Sequence, residues 1–366
     1  MTPKNKTLLL SKKDIISIIN HYGVDKVMDD LILRLERAIK EYDSQKIHIP
    51  IRDGFNYKAP YTGLVEWMPV YENGSDVVIK IVGYHPNNPV KFDLPTIIST
   101  ISTYDTSTGH LKSLIDGVLL TALRTGASSA LISKVLARPD SKILGLIGCG
   151  AQAVTQLHAL SRVYDFDTVL VYDIDQATMV SLEDRIAPLN LDGKIVKSTI
   201  HEIVEQSDIV CTETSIDVGA GPLFDNITTQ PHVHINAVGS DFPGKVELPL
   251  SLLKSSKVVP DFLDQAVIEG ECQRLDAEDI FEDWVKIIKA QEDYQDLRNE
   301  RTVFDSTGWA LEDFVASNLF TEYAQENDIG SYVEIENLST EVKNPYASIK
   351  SSISAKKLEA ILAKTS

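Results

Sequence analysis

The sequence predicts an α/β protein in two parts, a doubly wound parallel sheet and a mostly antiparallel α+β unit. Three observations support this prediction. Beyond residue 142, short apolar segments alternate with helical segments, as in parallel sheets whose strands are joined by helices. Between residues 47 and 114, strand-like segments are separated by turn-rich stretches such as 72–75 and 85–89, which favours antiparallel pairing. The length of 366 residues suits two domains better than one.

The antiparallel unit is predicted to begin with a short strand followed by helices. Residues 7–10 form an apolar strand, a helical segment opens at Lys12, and residues 24–42 carry apolar side chains at helical spacing. A helix over 119–136 closes this part of the chain and ends before Pro139. The strands between them are predicted at 64–70, 77–82, 97–104 and 111–115.

The parallel sheet is predicted from short apolar runs that follow one another with helical segments between them. Helical character continues after Gly308, which suggests that the end of the chain completes the first unit. The predicted substrate-binding and dimerisation domain is therefore 1–128 with 318–366, and the predicted dinucleotide-binding domain is 129–317. The parallel strands are predicted at 143–147, 168–172, 194–197, 208–212, 234–238 and 257–260.

The turn after the first parallel strand carries a dinucleotide-binding fingerprint. Gly148-Cys149-Gly150-Ala151-Gln152-Ala153 follows an apolar strand and opens a helical segment over 154–162. Gly148 permits the tight turn, Gly150 lets the backbone approach a pyrophosphate, and the helix start that follows, at Ala151 and Gln152, faces the phosphates. Asp173 ends the next strand, where an acid accepts hydrogen bonds from the adenosine ribose and repels a 2′-phosphate. We therefore predict a Rossmann-type domain that binds NAD rather than NADP.

Composition and charge disfavour several classes of partner. The net charge of −18 disfavours nucleic acid and anionic membrane surfaces. No apolar run approaches membrane-spanning length and the first residues lack a signal-peptide core, so a cytoplasmic location is expected. The cysteines, Cys149, Cys211 and Cys272, lack paired spacing, which is typical of reduced thiols.

Three cations stand in apolar surroundings within the first unit. Arg52 follows Ile49-Pro50-Ile51, Lys80 ends an apolar run, and Arg124 lies in a helical segment. Each alone is explained more simply as a surface cation or a member of an ion pair. Together they favour a site for a small carboxylate, which Arg holds with two parallel hydrogen bonds and Lys holds as a point charge.

Several longer segments are specific enough to indicate a family. Two of them read NAVGSDFPGKVEL at 236–248 and VFDSTGWALEDF at 303–314. Over residues 45–320, the chain resembles the ornithine cyclodeaminase/μ-crystallin family. The further segments that carry the resemblance are 77–80, 83–87, 120–125, 148–152, 234–235 and 268–273.

The resemblance implies a set of site residues. Arg52, Lys80 and Arg124 would grip the α-carboxylate of an amino-acid substrate, and Thr96 would line the pocket. The residues implied as catalytic are Asp241, Lys80 and Glu66, with Asp241 near the reacting amines. The residues implied to bind NAD are Gly148, Gly150, Ala151, Gln152, Asp173, Thr125 and Thr307.

The resemblance also implies an activity and an assembly. The activity is that of a lyase of proline biosynthesis, which converts L-ornithine to L-proline and ammonia by NAD-mediated oxidation, ring closure and re-reduction. The assembly is a homodimer joined through the sheet of the first domain. Thr307 and Phe242 depart from the residues expected in the family's motifs, which leaves the exact substrate open.

The residue types fit this chemistry independently of the resemblance. Oxidation of an α-amino acid at C2 requires a neutral amine, and therefore a proton acceptor and a clamp for the carboxylate. Asp241 follows a predicted parallel strand at its carboxyl end, where doubly wound sheets place ligands. The alternative for Asp241 is a helix N-cap in a Ser-Asp-x-Pro-Gly turn.

Other functions remain open at this point. An amino-acid dehydrogenase or a cyclic ketimine reductase would use the same acid and lysine. A binding protein that keeps the NAD fold without catalysis is a third possibility, although retention of Lys80, Arg124 and Asp241 together argues against it.

Two remaining groups of polar residues are predicted to have structural roles, and no metal site is predicted. His85 and His110 stand in turns without a second ligand at metal-binding spacing. Asp305 or Ser306 is predicted to cap a helix whose first turns contain Glu312 and Asp313.

Overall fold

The computed structural model describes residues 5–225, 228–339, 341–347 and 349. Its strands form an eight-stranded sheet and a seven-stranded sheet. The strands are β1 (Thr7–Leu10), β2 (Ile47–His48), β3 (Asp53–Tyr57), β4 (Gly63–Glu72), β5 (Asp76–Tyr84), β6 (Ile97–Asp105), β7 (Leu111–Asp116), β8 (Ile143–Ile147), β9 (Thr168–Tyr172), β10 (Lys194–Lys197), β11 (Ile209–Thr212), β12 (His234–Ala237), β13 (Lys257–Pro260), β14 (Thr302–Asp305) and β15 (Ser331–Val333).

The α-helices connect and cover these sheets, and short 3-10 turns lie between some of them. The α-helices are α1 (Lys12–Tyr22), α2 (Val24–Glu41), α3 (Asn88–Phe92), α4 (Val118–Leu136), α5 (Ala151–Ser161), α6 (Gln176–Val180), α7 (Leu182–Ile186), α8 (Ile200–Gln206), α9 (Leu250–Lys254), α10 (Leu263–Glu269), α11 (Trp284–Lys289) and α12 (Ala310–Glu326). None of the helices in the described part of the chain is long and apolar enough to cross a membrane.

The eight-stranded sheet has the order β15-β1-β7-β6-β5-β4-β2, and β3 also pairs with β4. Its pairs are antiparallel except for β1 with β7. Cross-strand partners share a face of a sheet. Lys80 is paired with Met68 and Ile101, which are buried, so this face is the inner one. Glu66 lies on the same face, opposite Val82.

The seven-stranded sheet is parallel throughout, with the order β10-β9-β8-β11-β12-β14-β13. This confirms the predicted fold class. The sequence did not indicate β14, a short strand that is fully buried between β12 and β13. The fingerprint turn follows β8, near the centre of the sheet, where the strand order reverses and where such folds bind ligands.

The long helix α4 contacts both sheets, β6 of the first and β12 and β14 of the second. Most of α4 is buried, and α12 packs against α4, α2 and β4. The predicted domain boundaries 128/129 and 317/318 fall inside these two helices, so the division of the chain stays a prediction. At the end of α12 the chain returns to the first sheet, where β15 pairs with β1.

The predicted cap of α12 is wrong. Asp305 is the last residue of β14, and its carboxylate accepts hydrogen bonds from the backbone N–H groups of Glu271 and Cys272. The N-cap position is Trp309, which supplies no side-chain hydrogen bond. The placement of Glu312 and Asp313 in the first turn is correct.

Candidate active site

The structure brings the predicted carboxylate clamp together and pairs each cation with an acid. Lys80, from β5, is fully buried, and its Nζ lies 2.7 Å from Oδ2 of Asp313. Arg124, from α4, donates from Nη1 to Oε2 of Glu312 at 2.6 Å and from Nε to Oδ1 of Asp313 at 3.2 Å. Asp313 therefore bridges Lys80 and Arg124, which fixes both cations at one end of α12.

Arg52 joins the two parts of the molecule. Its side chain contacts Glu269 at the end of α10, lies 3.8 Å from Oε2 of Glu66, and donates to the backbone oxygen of Thr307 at 3.0 Å. Its backbone N–H donates to Oε1 of Gln265. Arg52 is thus held from both sides, by Glu66 of the first sheet and by Glu269 and Thr307, which follow strands of the second.

Burial shapes the ionisation of this cluster. Burial, followed by the nearby Arg124 guanidinium, lowers the pKa of Lys80 to about 8. Burial raises the pKa of Glu312 to about 7, against the opposing effect of Arg124. Burial alone would lower the pKa of Arg124, but Asp313 and Glu312 outweigh it and raise that pKa. The clamp therefore keeps a charged guanidinium and holds a lysine that is charged below about pH 8.

Asp241 lies in the loop after β12, with its side chain about one-third exposed. Its Oδ1 is 2.9 Å from Nζ of Lys245, whose side chain is 4% exposed. That ammonium also lies 5.2 Å from the ring centroid of Tyr84, at the end of β5. The alternative role as a helix N-cap is not what the structure shows, because the next helix, α9, begins after Pro249.

Glu66 and Asp241 are electrostatically coupled. Burial raises the pKa of Glu66, the Arg52 guanidinium opposes this shift, and the Asp241 carboxylate adds to it. Each of these acids has a cation beside it, Arg52 near Glu66 and Lys245 near Asp241. Lys80 also acts to lower the pKa of Glu66, so Glu66 lies within the field of the clamp.

A network of buried acids, none of which the sequence indicated as functional, fixes the Asp241 loop. Glu247 accepts hydrogen bonds from the backbone N–H groups of Thr214, at 2.7 Å, and Gly239, at 3.0 Å. A Cβ atom at Gly239 would lie 2.2 Å from Oε1 of Glu247, so any other residue there would displace this carboxylate. Glu271 in turn accepts from the backbone N–H of Glu247 at 2.6 Å. These contacts explain why a glycine at 239 and an acid at 247 stand together in the 236–248 segment.

The fingerprint turn has the geometry that a dinucleotide requires. Gly148 has a φ of +105°, and a Cβ there would lie 2.9 Å from the backbone oxygen of Glu213. A Cβ at Gly150 would meet nothing within 4 Å, so the turn is open at the point where a pyrophosphate would lie. Asp173 accepts from the backbone N–H of Cys149 at 2.7 Å through Oδ2. These residues fit NAD, with the start of α5 available to its phosphates.

The other residues predicted to bind substrate or NAD make hydrogen bonds within the protein. Thr96 lies just before β6, and its backbone oxygen accepts from His85. The hydroxyl of Thr125 donates within α4, and that of Thr307 donates to Oδ1 of Asp261 at 2.9 Å. Gln152, in the first turn of α5, accepts from Thr155. Their roles stay predictions.

His85 and His110 both have hydrogen-bonding partners. His85 Nε2 lies 2.6 Å from the Tyr57 hydroxyl, and His110 contacts Glu336. Among the residues that the structure describes, no group of three or more His, Cys, Asp or Glu side chains is placed to hold a metal ion.

Comparison with known proteins identifies the family of this fold and site. The model of the ornithine cyclodeaminase/mu-crystallin family matches residues 12–328. The chain belongs to this family. L-lysine cyclodeaminase of Streptomyces rapamycinicus is 36% identical over 93% of this chain and 99% of its own length. Ornithine cyclodeaminase of Agrobacterium fabrum is 34% identical over 69% of this chain and 71% of its own length.

Solved structures of family members share the whole architecture. A structure of lysine cyclodeaminase, which recognises L-lysine, L-ornithine and L-2,4-diaminobutyric acid, has a TM-score of 0.90 at 42% identity, covering 93% of this chain and 99% of its own. An archaeal alanine dehydrogenase, a dimer with bound NAD, has a TM-score of 0.78 at 29% identity, covering 90% of this chain and 100% of its own. These relatives confirm the predicted family and NAD as the predicted cofactor. The family contains cyclodeaminases and dehydrogenases, so membership alone leaves the substrate open.

Replacing Asp173 by Ala is expected to weaken NAD binding and to relax discrimination against NADP. The change removes a carboxylate that holds the fingerprint turn through Cys149 and that would repel a 2′-phosphate. We expect a loss of about 1–3 kcal/mol in NAD binding free energy, typical of hydrogen bonds to a charged group. Titration of both nucleotides measures it, with Asp175→Ala, which removes a cap of α6, as the control. An unchanged preference for NAD would contradict the role of Asp173.

Proposed function

We propose that this protein is an NAD-dependent cyclodeaminase of a small L-diamino acid, with L-ornithine converted to L-proline and ammonia as the first reaction to test. The observation that carries the proposal is the polarity of the site. Lys80 and Arg124 share the acid Asp313 and can bind a carboxylate. The coupled acids Glu66 and Asp241 lie close enough to affect each other's ionisation and can bind an amine. A diamino acid has matching ends, a carboxylate and a second amine.

The first step that the chain's own residues perform is orientation. Arg124 and Lys80 bind the α-carboxylate, and Arg52 closes the site from the side of Glu269 and Thr307. A carboxylate held by these groups places C2 of the substrate between the clamp and Asp241. Bound NAD would supply the acceptor for the hydride that leaves C2 and, after ring closure, the donor that returns it.

The second step is proton transfer at the amines. Asp241 is the proton acceptor, because its carboxylate is partly exposed, acts on Glu66, and is held by Lys245 at 2.9 Å. A deprotonated terminal amine can attack C2 of the imine formed by oxidation, and ammonia leaves from C2. Glu66 holds the terminal amine before this attack, since its residue lies on the inner face of the sheet, as Lys80 does, and its carboxylate is coupled to that of Asp241.

The second candidate function is that of an amino-acid dehydrogenase or cyclic ketimine reductase on the same site. The archaeal alanine dehydrogenase makes this candidate concrete, because it shares the architecture. Alanine has no second amine, so a site for it gains nothing from two coupled acids such as Glu66 and Asp241. This difference favours the diamino acid.

Incubation with a panel of amino acids tests the substrate class. L-ornithine, L-lysine, L-2,4-diaminobutyrate and L-alanine are each supplied with NAD, and ammonia and cyclic imino acid are measured together. We expect one or more diamino acids to give both products in equal amounts and alanine to give neither. Turnover of alanine with no turnover of any diamino acid would overturn the proposal.

We also propose a homodimer formed through the outer face of the first sheet. Trp67 is paired with Ile81 and Val65 with Gly83, so these residues face away from Lys80. Phe55, Ile81 and Ile98 are 69%, 47% and 41% exposed. An exposed apolar sheet face of this kind is typical of a protein–protein interface. A second copy of the chain would bury it, because a two-fold symmetric dimer pairs the same surface of both subunits. The alanine dehydrogenase relative is a dimer.

Replacing Ile81 by Arg is expected to convert the dimer to a monomer. The new charge would stand at the middle of the proposed interface, where it would be desolvated without a partner. Sedimentation velocity of the wild type and the variant measures the change in mass. Leu33→Arg is the matched control, because Leu33 is 65% exposed on α2 and not on the sheet face. A dimer that persists in Ile81→Arg would refute this interface.

A further inference from the structure

Arg185 contacts the fingerprint turn from outside the motif. It lies on α7, and its Nη2 donates to the backbone oxygen of Cys149 at 2.5 Å, while its Nη1 donates to that of Gly150 at 3.0 Å. Nη2 also donates to the backbone oxygen of Thr178 at 2.9 Å. One guanidinium therefore holds two successive carbonyl groups of the turn and joins them to the neighbouring helix α6.

Holding these carbonyl groups also fixes the direction of two N–H groups. In a planar trans peptide, the C=O of one residue points opposite to the N–H of the next. With the oxygens of Cys149 and Gly150 directed at Arg185, the N–H groups of Gly150 and Ala151 point away from it. Ala151 is exposed, and a Cβ at Gly150 would meet nothing within 4 Å, so a ligand can approach this turn.

Asp173 binds the other backbone polar group of Cys149. Its Oδ2 accepts the N–H of Cys149 at 2.7 Å, while Arg185 donates to the oxygen of Cys149. Cys149 is therefore bound through both of its backbone polar groups by side chains of opposite charge. The turn is set in one conformation before a nucleotide arrives, which reduces the ordering cost of binding.

We propose that Arg185 is a positioning residue for NAD, which aims the N–H groups of Gly150 and Ala151 at the pyrophosphate. The planar guanidinium is needed because it spans two carbonyl oxygens at once. A lysine ammonium at the same place would keep the charge and lose this geometry. The role concerns NAD binding alone, so it is independent of the proposed substrate.

Two substitutions of Arg185 separate geometry from charge. NAD affinity is measured on nucleotide-free protein without amino acid, by calorimetry or by quenching of tryptophan fluorescence. We expect Arg185→Met to raise the Kd for NAD by about 10–100-fold, as for the loss of charge-assisted hydrogen bonds. Arg185→Lys is expected to recover only a small part of this loss. Wild-type affinity in either variant would overturn the proposal.

Further measurements distinguish positioning from a general structural role. The melting temperature of the nucleotide-free variants should stay close to that of the wild type, and kcat at saturating NAD should change little. Arg162→Met is the matched control, because Arg162 lies at the end of α5 and donates to Asp29 at 2.8 Å, away from the turn. An equal loss of NAD affinity in Arg162→Met would overturn the proposal. If Arg185→Met does not fold, the Kd of Arg185→Lys for NAD tests the proposal alone.

Discussion

Replacing Asp241 by Asn is expected to lower turnover by about 10²–10⁴-fold, the usual contribution of a general acid or base, while NAD still binds. Asn keeps the size of the side chain and an oxygen that can accept from Lys245, but it cannot take a proton. The loss should therefore appear in kcat and not in the affinity for NAD. Steady-state kinetics and a separate NAD titration measure the two quantities.

A second ion pair of the same kind provides the control for this experiment. Asp279 lies 2.9 Å from Lys254, the same distance that joins Asp241 to Lys245. Asp279 is 22% exposed, close to the 31% of Asp241. Asp279→Asn should leave turnover within about two-fold of the wild type, because an ion pair outside the proposed site contributes little to catalysis. Full activity in Asp241→Asn would remove this residue from the chemistry.

Replacing Arg124 by Lys is expected to raise the KM for the amino acid by about 10–100-fold, with little change in NAD affinity. The guanidinium binds Glu312 and Asp313 through two different nitrogens, and an ammonium cannot hold both acids and a substrate carboxylate. Gly308 lies against this guanidinium, where an added Cβ would come within 2.9 Å of its nitrogens. The absence of a side chain at Gly308 therefore leaves room for the planar guanidinium of Arg124.

Arg34→Lys is the matched control, because Arg34 holds Glu322 through both terminal nitrogens at 2.6 and 2.7 Å on the protein surface. It should leave KM unchanged. If Arg124→Lys instead weakened amino acid and NAD equally, or lowered stability without changing KM, Arg124 would have a structural role.

The sequence predicted those parts of the fold that local residue patterns determine. Alternating strands and helices predicted the parallel sheet, and the glycine spacing predicted the turn after β8. The strand β14 was missed because its four residues follow a run of polar 3-10 turns, and only burial between two neighbours makes it a strand. The same burial directs Asp305 to the backbone of Glu271 and Cys272 instead of to a helix cap.

The candidate site was predictable only in part. The cations Arg52, Lys80 and Arg124 stood out because charges are rare in apolar runs. Their acidic partners did not, because they are distant in the chain: Asp313 is 189 residues from Arg124. No local pattern joins residues at that separation. Lys245 and Arg185 were missed for a different reason, since a charge on a loop or a short helix is ordinarily a surface group.

The stoichiometry of NAD is the decisive measurement for the proposed cyclodeaminase reaction. The diamino acid that reacts is supplied with NAD far below the substrate concentration, using substrate with deuterium at C2. We expect equal amounts of ammonia and cyclic imino acid from most of the substrate, little accumulated NADH, and deuterium retained at C2. The reason is that the clamp would hold the imine while the ring closes. Reduced NAD formed mole for mole with a 2-oxo acid, with deuterium lost from C2, would contradict the proposed reaction.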